Sequence, residues 1–198
     1  MEHQANQVIT AAKLNGGAVC GCPQTVVLSW NWSQRREFLD ALRKSIAEDT
    51  PAAGTYYPGS DDVKKTFMEN HANAAVPSPE KGRFKSGEFV FIEDAGEDSF
   101  AVKNEAFCQI MNEVALDVPA SAADFLPAAT EFCNTKLLGT LGCMILIDEK
   151  TQKTHQVGQF DNSDIACFLS FKNCTSRNIN ISYRSLPFIS MLRSFSGF

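Results

Sequence analysis

The sequence has no long hydrophobic run, no excess of positive charge and no recognisable spacing of metal ligands. Its longest apolar stretches, such as Cys143 to Ile147, fall far short of the roughly 20 residues that cross a bilayer, so no membrane segment is predicted. With 18 Lys and Arg against 23 Asp and Glu, the net charge of −5 argues against a nucleic-acid-binding or anionic-lipid-binding surface. His3, His71 and His155 have no cysteine or acid partner at ligand spacing, so no metal site is predicted.

Seven cysteines form an odd set in a chain that is long enough to fold without disulfides. The first residues show no basic segment followed by an apolar one, which is the pattern of a secretory signal. We therefore expect reduced thiols and a cytoplasmic protein. Four of the seven are interpreted as buried, small apolar residues: Cys22, Cys108, Cys133 and Cys143.

The hydrophobic pattern predicts an α/β fold with a largely parallel sheet flanked by helices. Apolar, β-branched Thr25 to Trp30 is typical of a strand that is covered on both faces. Further strands are predicted at Glu88 to Ile92, Phe107 to Leu116 and Leu141 to Ile147.

Helices are predicted between these strands. One follows Ser33, with Arg35, Arg36, Arg43 and Lys44 facing solvent, and a short one begins at Ser60. The last begins at Ser121 or Asp124 and ends at Gly139. We favour Asp124 as its N-cap, because Pro127 then falls in the first turn, where a missing N–H is tolerated.

The last 44 residues, 155–198, differ from the rest of the sequence. They contain eight Ser, four Asn and six Phe but only six charged residues, and no period persists beyond Ile165 to Phe171. Two interpretations are open: a poorly folded tail, which we favour, or a pair of strands that completes the sheet. The predicted division is a domain at 1–154 and a divergent, disordered tail at 155–198.

The sharpest local feature is the segment Leu14 to Gln24, which directly precedes the first buried strand. Two glycines allow a sharp turn or a close approach to a ligand. A cysteine at the tip of such a loop can act as a thiolate nucleophile, although a loop cysteine is more often a small residue with no chemical role. Cys20 and Cys22 are too close in sequence for the usual redox or zinc pair.

Three segments in order resemble blocks of the aldehyde dehydrogenase superfamily, over roughly two-thirds of the chain. Asn15-Gly-Gly-Ala-Val-Cys20-Gly-Cys-Pro resembles the N-x-G-Q-x-C-x-x-P/S block around the catalytic cysteine. Glu105-Ala-Phe107 resembles the start of E-x-F-G-P-V. The segment from Phe132 to Ile147 is similar to the A-N-x-x-x-Y-G-L-x-x-x-V passage from a helix to a strand.

The resemblance implies a catalytic domain in which Cys20 attacks the carbonyl of a small-molecule aldehyde and hydride passes to NAD or NADP. It implies that Glu105 binds the nicotinamide ribose and that Phe107 packs beside the cofactor. Two departures stand out: Ala18 replaces the motif glutamine, and Cys108-Gln109 replaces Gly-Pro. The family's dinucleotide-binding domain, oxyanion asparagine and general-base glutamate precede the cysteine and have no match here.

We therefore expect a fragment or truncated homologue of an NAD(P)-dependent aldehyde dehydrogenase, incomplete as a catalytic domain. The alternative is a non-catalytic homologue that acts through association with full-length relatives, or that forms a homo-oligomer. A third hypothesis is thiol hydrolysis by Cys20 without a cofactor.

Overall fold

The computed structural model describes residues 1–51, 54–77, 88–138, 142–147, 179–183 and 190–194. They form five α-helices and seven strands. The helices are α1 (Glu2–Ala12), α2 (Arg35–Lys44), α3 (Ser60–Glu69), α4 (Phe100–Lys103) and α5 (Ala122–Thr135). The strands are β1 (Pro23–Ser29), β2 (Ala74–Ala75), β3 (Val90–Ile92), β4 (Ile110–Leu116), β5 (Gly142–Ile147), β6 (Ile179–Tyr183) and β7 (Ser190–Ser194).

One seven-stranded sheet has the order β2-β3-β4-β1-β7-β5-β6. Strand β1 pairs in parallel with β4, which pairs in parallel with β3, and β5 pairs in parallel with β6. Only β2 and β7 run against the others, so five of the seven strands point the same way. The predicted α/β architecture with a largely parallel sheet is confirmed.

Helices cover both faces of the sheet around β1, and all seven residues of that strand are buried. Val26 and Leu28 pack with Phe38 of α2 on one face. Val27 packs with Phe125 of α5 on the other face. Alternate side chains of an extended strand point to opposite faces, so the uninterrupted apolar run is the expected sequence for a strand at this position.

The favoured start of α5 at Asp124 is wrong, and the alternative at Ser121 is right. The Ser121 hydroxyl oxygen accepts a hydrogen bond from the Asp124 N–H and satisfies one of the unpaired donors of the first turn. Pro127 therefore lies inside the helix. The expected end at Gly139 is also wrong, because the helix ends at Thr135 with Lys136 as its C-cap.

The helix α1 was not predicted from the sequence. Its buried face contains Ala5, Val8, Ile9 and Ala12, which recur at intervals of three and four. The small alanines make this stripe weak, because periodicity is judged mainly from large apolar residues. Its packing against α2 nevertheless buries these residues in one of the two apolar clusters.

The expectation that Arg35 faces solvent is wrong, and its side chain is only 5% exposed. The guanidinium donates to both carboxylate oxygens of Glu113 in β4, at 2.9 and 2.8 Å, and pairs with Asp94. Burial raises the pKa of Glu113, and the adjacent Arg35 partly counteracts this shift. The guanidinium carbon also lies 4.6 Å from the centre of the Trp30 ring.

Two parts of the region 155–198 are strands of the sheet. β6 pairs with β5, and β7 lies between β5 and β1. For these ten residues the structure agrees with the second interpretation, a pair of strands, and not with a poorly folded tail. The rest of the region lies outside the described residues, and the division at residue 154 stays a prediction.

Candidate functional site

The candidate site lies where β1 and β4 begin. Because these neighbouring strands are parallel, the segments that precede them meet at the same edge of the sheet. One segment, residues 14–22, contains Cys20, and the other, residues 104–109, contains Glu105 and Phe107. In open α/β sheets ligands usually bind at the opposite edge, where the strands end.

Cys20 lies exposed at the tip of a tight turn. The N–H of Cys22 donates to the carbonyl of Val19 at 2.9 Å, which places Cys20 and Gly21 at the two central positions of the turn. The thiol of Cys22 points inward and contacts the carbonyl of Leu14 at 3.5 Å. The loop therefore presents one cysteine to solvent and buries the other.

A close contact between backbones holds the two segments together. Gly17 has a φ of +75°, and a Cβ there would overlap the carbonyl oxygen of Cys108 and lie 2.6 Å from the carbonyl carbon. On the same loop, a Cβ at Gly16 would overlap the carbonyl oxygen of Gly54. That oxygen accepts a hydrogen bond from Gln109 Nε2 at 2.5 Å. The glycines thus allow an approach that no larger residue permits.

Between the segments is a small cleft that is open to solvent, with an internal volume of about 10 Å³. Glu105 and Phe107 line it from one side, and Gly17, Val19 and Cys22 line it from the other. Cys20 is not among the lining residues, although its neighbour Val19 is. The structure therefore brings Glu105 and Phe107 together and places the Cys20 turn beside them.

Phe107 has a left-handed backbone, with a φ of +49°. This conformation is rare for a bulky residue and persists only where surrounding contacts hold it. One such contact is the stacked ring of Tyr57, whose centre is 5.8 Å from that of Phe107 at an interplanar angle of 30°. Tyr56 meets Tyr57 edge-on at 4.9 Å, and both tyrosines are largely exposed.

Gln24, the second residue of β1, lies beneath the Glu105 segment and is 6% exposed. Its Oε1 accepts the Ala106 N–H at 2.8 Å, and its Nε2 donates to the Asn104 carbonyl at 2.9 Å. Gln24 therefore bonds to the backbone on both sides of Glu105.

Lys13 anchors the other end of the Cys20 loop. Its ammonium group donates to the carbonyl of Ile46 at 2.7 Å and to the hydroxyl of Thr50 at 2.9 Å, just after α2. Burial lowers the pKa of Lys13 to about 8, against an ordinary value of 10.5.

We expect the contribution of Lys13 to stability to depend on pH. Between about pH 8 and about pH 10.5 the unfolded chain keeps the proton that folded Lys13 releases, so stability should rise with pH across this window. Urea denaturation would measure the free energy of unfolding of the wild type and of Lys13→Met. The value for the wild type minus that for Lys13→Met should therefore increase as the pH rises through this window. A difference that stays constant from about pH 7 to about pH 10 would contradict the assignment.

The other cysteines and His71 are also candidate functional residues, and those that the structure describes are buried. Cys22, Cys108 and Cys133 are buried, as predicted, and carry free thiols. Burial raises the pKa of Cys22, and it raises that of Cys108 to about 11. His71 Nε2 accepts the Ala101 N–H at 3.1 Å. The side chain of Cys143 lies outside the described part.

Within the described ranges no group of three or more histidines, cysteines and acids could hold a metal ion. In the same part of the chain, no helix has both the length and the apolar character of a membrane span.

Two residues of this site, Gln24 and Tyr57, were missed by the sequence reasoning. A polar amide at the start of an otherwise apolar buried strand was the available signal for Gln24. The pair Tyr56-Tyr57 precedes Pro-Gly, a sequence that is typical of a turn. Its stacking on Phe107, fifty positions away, has no local signature.

The fold is similar to that of solved aldehyde dehydrogenases. The NADP-dependent glyceraldehyde-3-phosphate dehydrogenase from Bacillus halodurans C-125, complexed with NADP, matches 93% of this chain and 36% of its own, with a TM-score of 0.58 and 11% identity. Betaine aldehyde dehydrogenase from Staphylococcus aureus, in complex with NAD+, matches 93% of this chain and 35% of its own, with a TM-score of 0.60 and 14% identity. A mutant of aldehyde dehydrogenase C from Pseudomonas syringae, with NAD+ and octanal, matches 93% and 37%, with a TM-score of 0.59 and 11% identity.

The chain thus folds as a partial aldehyde dehydrogenase-like domain and spans about 36% of the length of these structures. The fold that the sequence resemblance implied is confirmed. No model of a protein family matches the sequence, and no curated protein matches it.

Proposed function

We propose that this chain is the nucleophile-bearing part of an NAD(P)-dependent aldehyde dehydrogenase, in which Cys20 adds to a small-molecule aldehyde. The thiolate sulfur forms a bond to the carbonyl carbon, the π-electron pair moves to oxygen, and protonation of that oxygen gives a thiohemiacetal. The observation that carries the proposal is the placement of an exposed cysteine turn beside a cavity lined by Glu105 and Phe107.

The side-chain chemistry of Glu105 and Phe107 suits a nicotinamide cofactor. A carboxylate such as Glu105 can accept hydrogen bonds from ribose hydroxyls, and a ring such as Phe107 can pack against a planar nicotinamide. When bound, NAD or NADP supplies the acceptor for the hydride of the thiohemiacetal. The tasks proposed for this chain are to hold that ribose, support the ring and present the thiol. A cytoplasmic location remains a prediction from the sequence.

The test is aldehyde protection of Cys20 against alkylation. We expect iodoacetamide to label Cys20 at least about tenfold faster than the buried thiols near neutral pH, because Cys108, with its pKa raised to about 11, has little thiolate. An excess of aldehyde should slow the labelling of Cys20 alone, as followed by mass spectrometry of each cysteine peptide.

Cys22→Ser is the matched control, since it removes the neighbouring thiol and should leave the fast labelling and its protection intact. Cys20→Ser should abolish both. Labelling of Cys20 that proceeds at the same rate with and without aldehyde would contradict the proposal. NAD(P)H formation by the purified chain, lost in Cys20→Ala, would show in addition that the chain turns over by itself.

The second candidate is a non-catalytic homologue that acts by associating with itself or with a full-length relative. The departures from the family's blocks at Ala18 and at Cys108-Gln109 favour it. Size-exclusion chromatography that shows a clean monomer, with no co-elution with a full-length homologue, would count against it.

A further inference from the structure

We propose that Gln24 is the positioning residue that holds Glu105 at the cavity. The inference rests on the proposed function, in which Glu105 binds the ribose of NAD or NADP. It adds a residue of β1 to the machinery of the site.

The hydrogen bonds of Gln24 are arranged around one residue. Its amide oxygen accepts the N–H of Ala106, directly after Glu105, and its amide nitrogen donates to the carbonyl of Asn104, directly before it. The same nitrogen lies 3.4 Å from the carbonyl of Ala101 in α4. Both strong bonds require an amide, because a carboxylate cannot donate and a thioether makes neither bond well.

The Glu105 segment needs such support, because it is not part of the sheet. Regular pairing between β1 and β4 starts only at Thr25 and Asn112. The side chain of Gln24 thus provides the hydrogen bonds that a neighbouring strand would otherwise supply. Since the bond from the Ala106 N–H is buried, its loss leaves that N–H without its partner.

The position of Gln24 also links the two halves of the site. It follows Cys20 by four residues and lies at the start of the strand to which the cysteine turn leads. Phe107 directly follows Ala106, whose N–H Gln24 accepts. The left-handed backbone of Phe107 must be held by its surroundings. Gln24 therefore fixes the position of Glu105, and of the backbone that leads to Phe107, relative to the cysteine loop.

The experiment compares Gln24→Met, Gln24→Glu and the exposed-helix control Gln7→Met in the full 198-residue chain. Two quantities are measured by NMR: hydrogen exchange of the Ala106 amide and the dissociation constants of NAD+ and NADP+. For Gln24→Met we expect exchange and the dissociation constant of the bound nucleotide each to rise at least about tenfold, and for Gln7→Met no change in either. Gln24→Glu keeps the acceptor oxygen and the size of the side chain but cannot donate a hydrogen bond. If Gln24→Met does not fold, the same two quantities are compared between Gln24→Glu and the wild type.

A double variant separates positioning from general destabilisation. If Gln24 acts through Glu105, Glu105→Gln weakens nucleotide binding and Gln24→Met in that background weakens it no further. Equal nucleotide affinity in wild type and Gln24→Met would overturn the inference and leave the proposed function standing. Absence of nucleotide binding by the wild type would overturn the proposed role of Glu105, and with it this inference. Unchanged exchange of the Ala106 amide would show that Gln24 does not hold the segment.

Discussion

The Arg35→Met variant is expected to lose about 3 to 5 kcal/mol of folding free energy, the largest single loss predicted for this chain. Methionine preserves most of the apolar packing of the arginine stem. It leaves the carboxylate of Glu113, which is 0% exposed, buried without its cation. The cost of an uncompensated buried charge exceeds that of most surface substitutions, and urea denaturation would measure it directly.

Two further variants test that cause. Arg36→Met, at the exposed neighbouring position of the same helix, should change stability by no more than about 0.5 kcal/mol. The double variant Arg35→Met/Glu113→Met should be more stable than Arg35→Met alone, because it removes the stranded charge. If the double variant lost the sum of the two single effects, the ion pair would not be the source of the loss.

The Gly17→Ala variant is expected to lose about 3 kcal/mol or more, from two additive causes. Its φ of +75° is unfavourable for a residue with a Cβ, and that Cβ would overlap the backbone of Cys108. Backbone atoms cannot move aside as a flexible side chain can. We also expect the Cys20 segment and the Glu105 segment to separate, which circular dichroism melts and Cys20 alkylation rates would detect together.

Gly21→Ala is the matched control four residues away. A Cβ at Gly21 meets nothing within 4 Å, and this glycine has no left-handed backbone. Its stability should stay within about 0.5 kcal/mol of the wild type. Equal losses at Gly17 and Gly21 would mean that general loop stiffening, and not the contact with Cys108, causes the effect.

The strands around the site were predictable because their signal is local. An unbroken apolar run at β1 and the turn residues that precede it indicate a buried strand that follows a tight loop. The resemblance of three blocks then predicted that Cys20, Glu105 and Phe107 belong to one site. The structure shows Glu105 and Phe107 lining one cavity beside the Cys20 loop, and the roles of all three residues remain proposals.

What the sequence did not predict depends on contacts between distant segments. The sequence around Arg35 is rich in charged residues and gives no sign that its side chain is buried. That burial depends on the ion pair with Glu113, 78 positions later in a buried strand. The support of Glu105 by Gln24 likewise joins residues about 80 positions apart. Helix α5 is a local example: Ser121 and Asp124 are both residue types that favour an N-cap, and in the structure Ser121 accepts the capping hydrogen bond from the Asp124 N–H.

The most direct test of the central claim is ¹³C NMR of the purified chain with an aldehyde labelled at its carbonyl carbon. Addition of a thiolate converts that carbon into a thiohemiacetal, whose resonance differs from those of the free aldehyde and its hydrate. We predict this resonance for the wild type and for Cys22→Ser, and its loss in Cys20→Ser. A resonance of equal intensity in Cys20→Ser, or none in the wild type, would contradict Cys20 as the aldehyde-binding nucleophile.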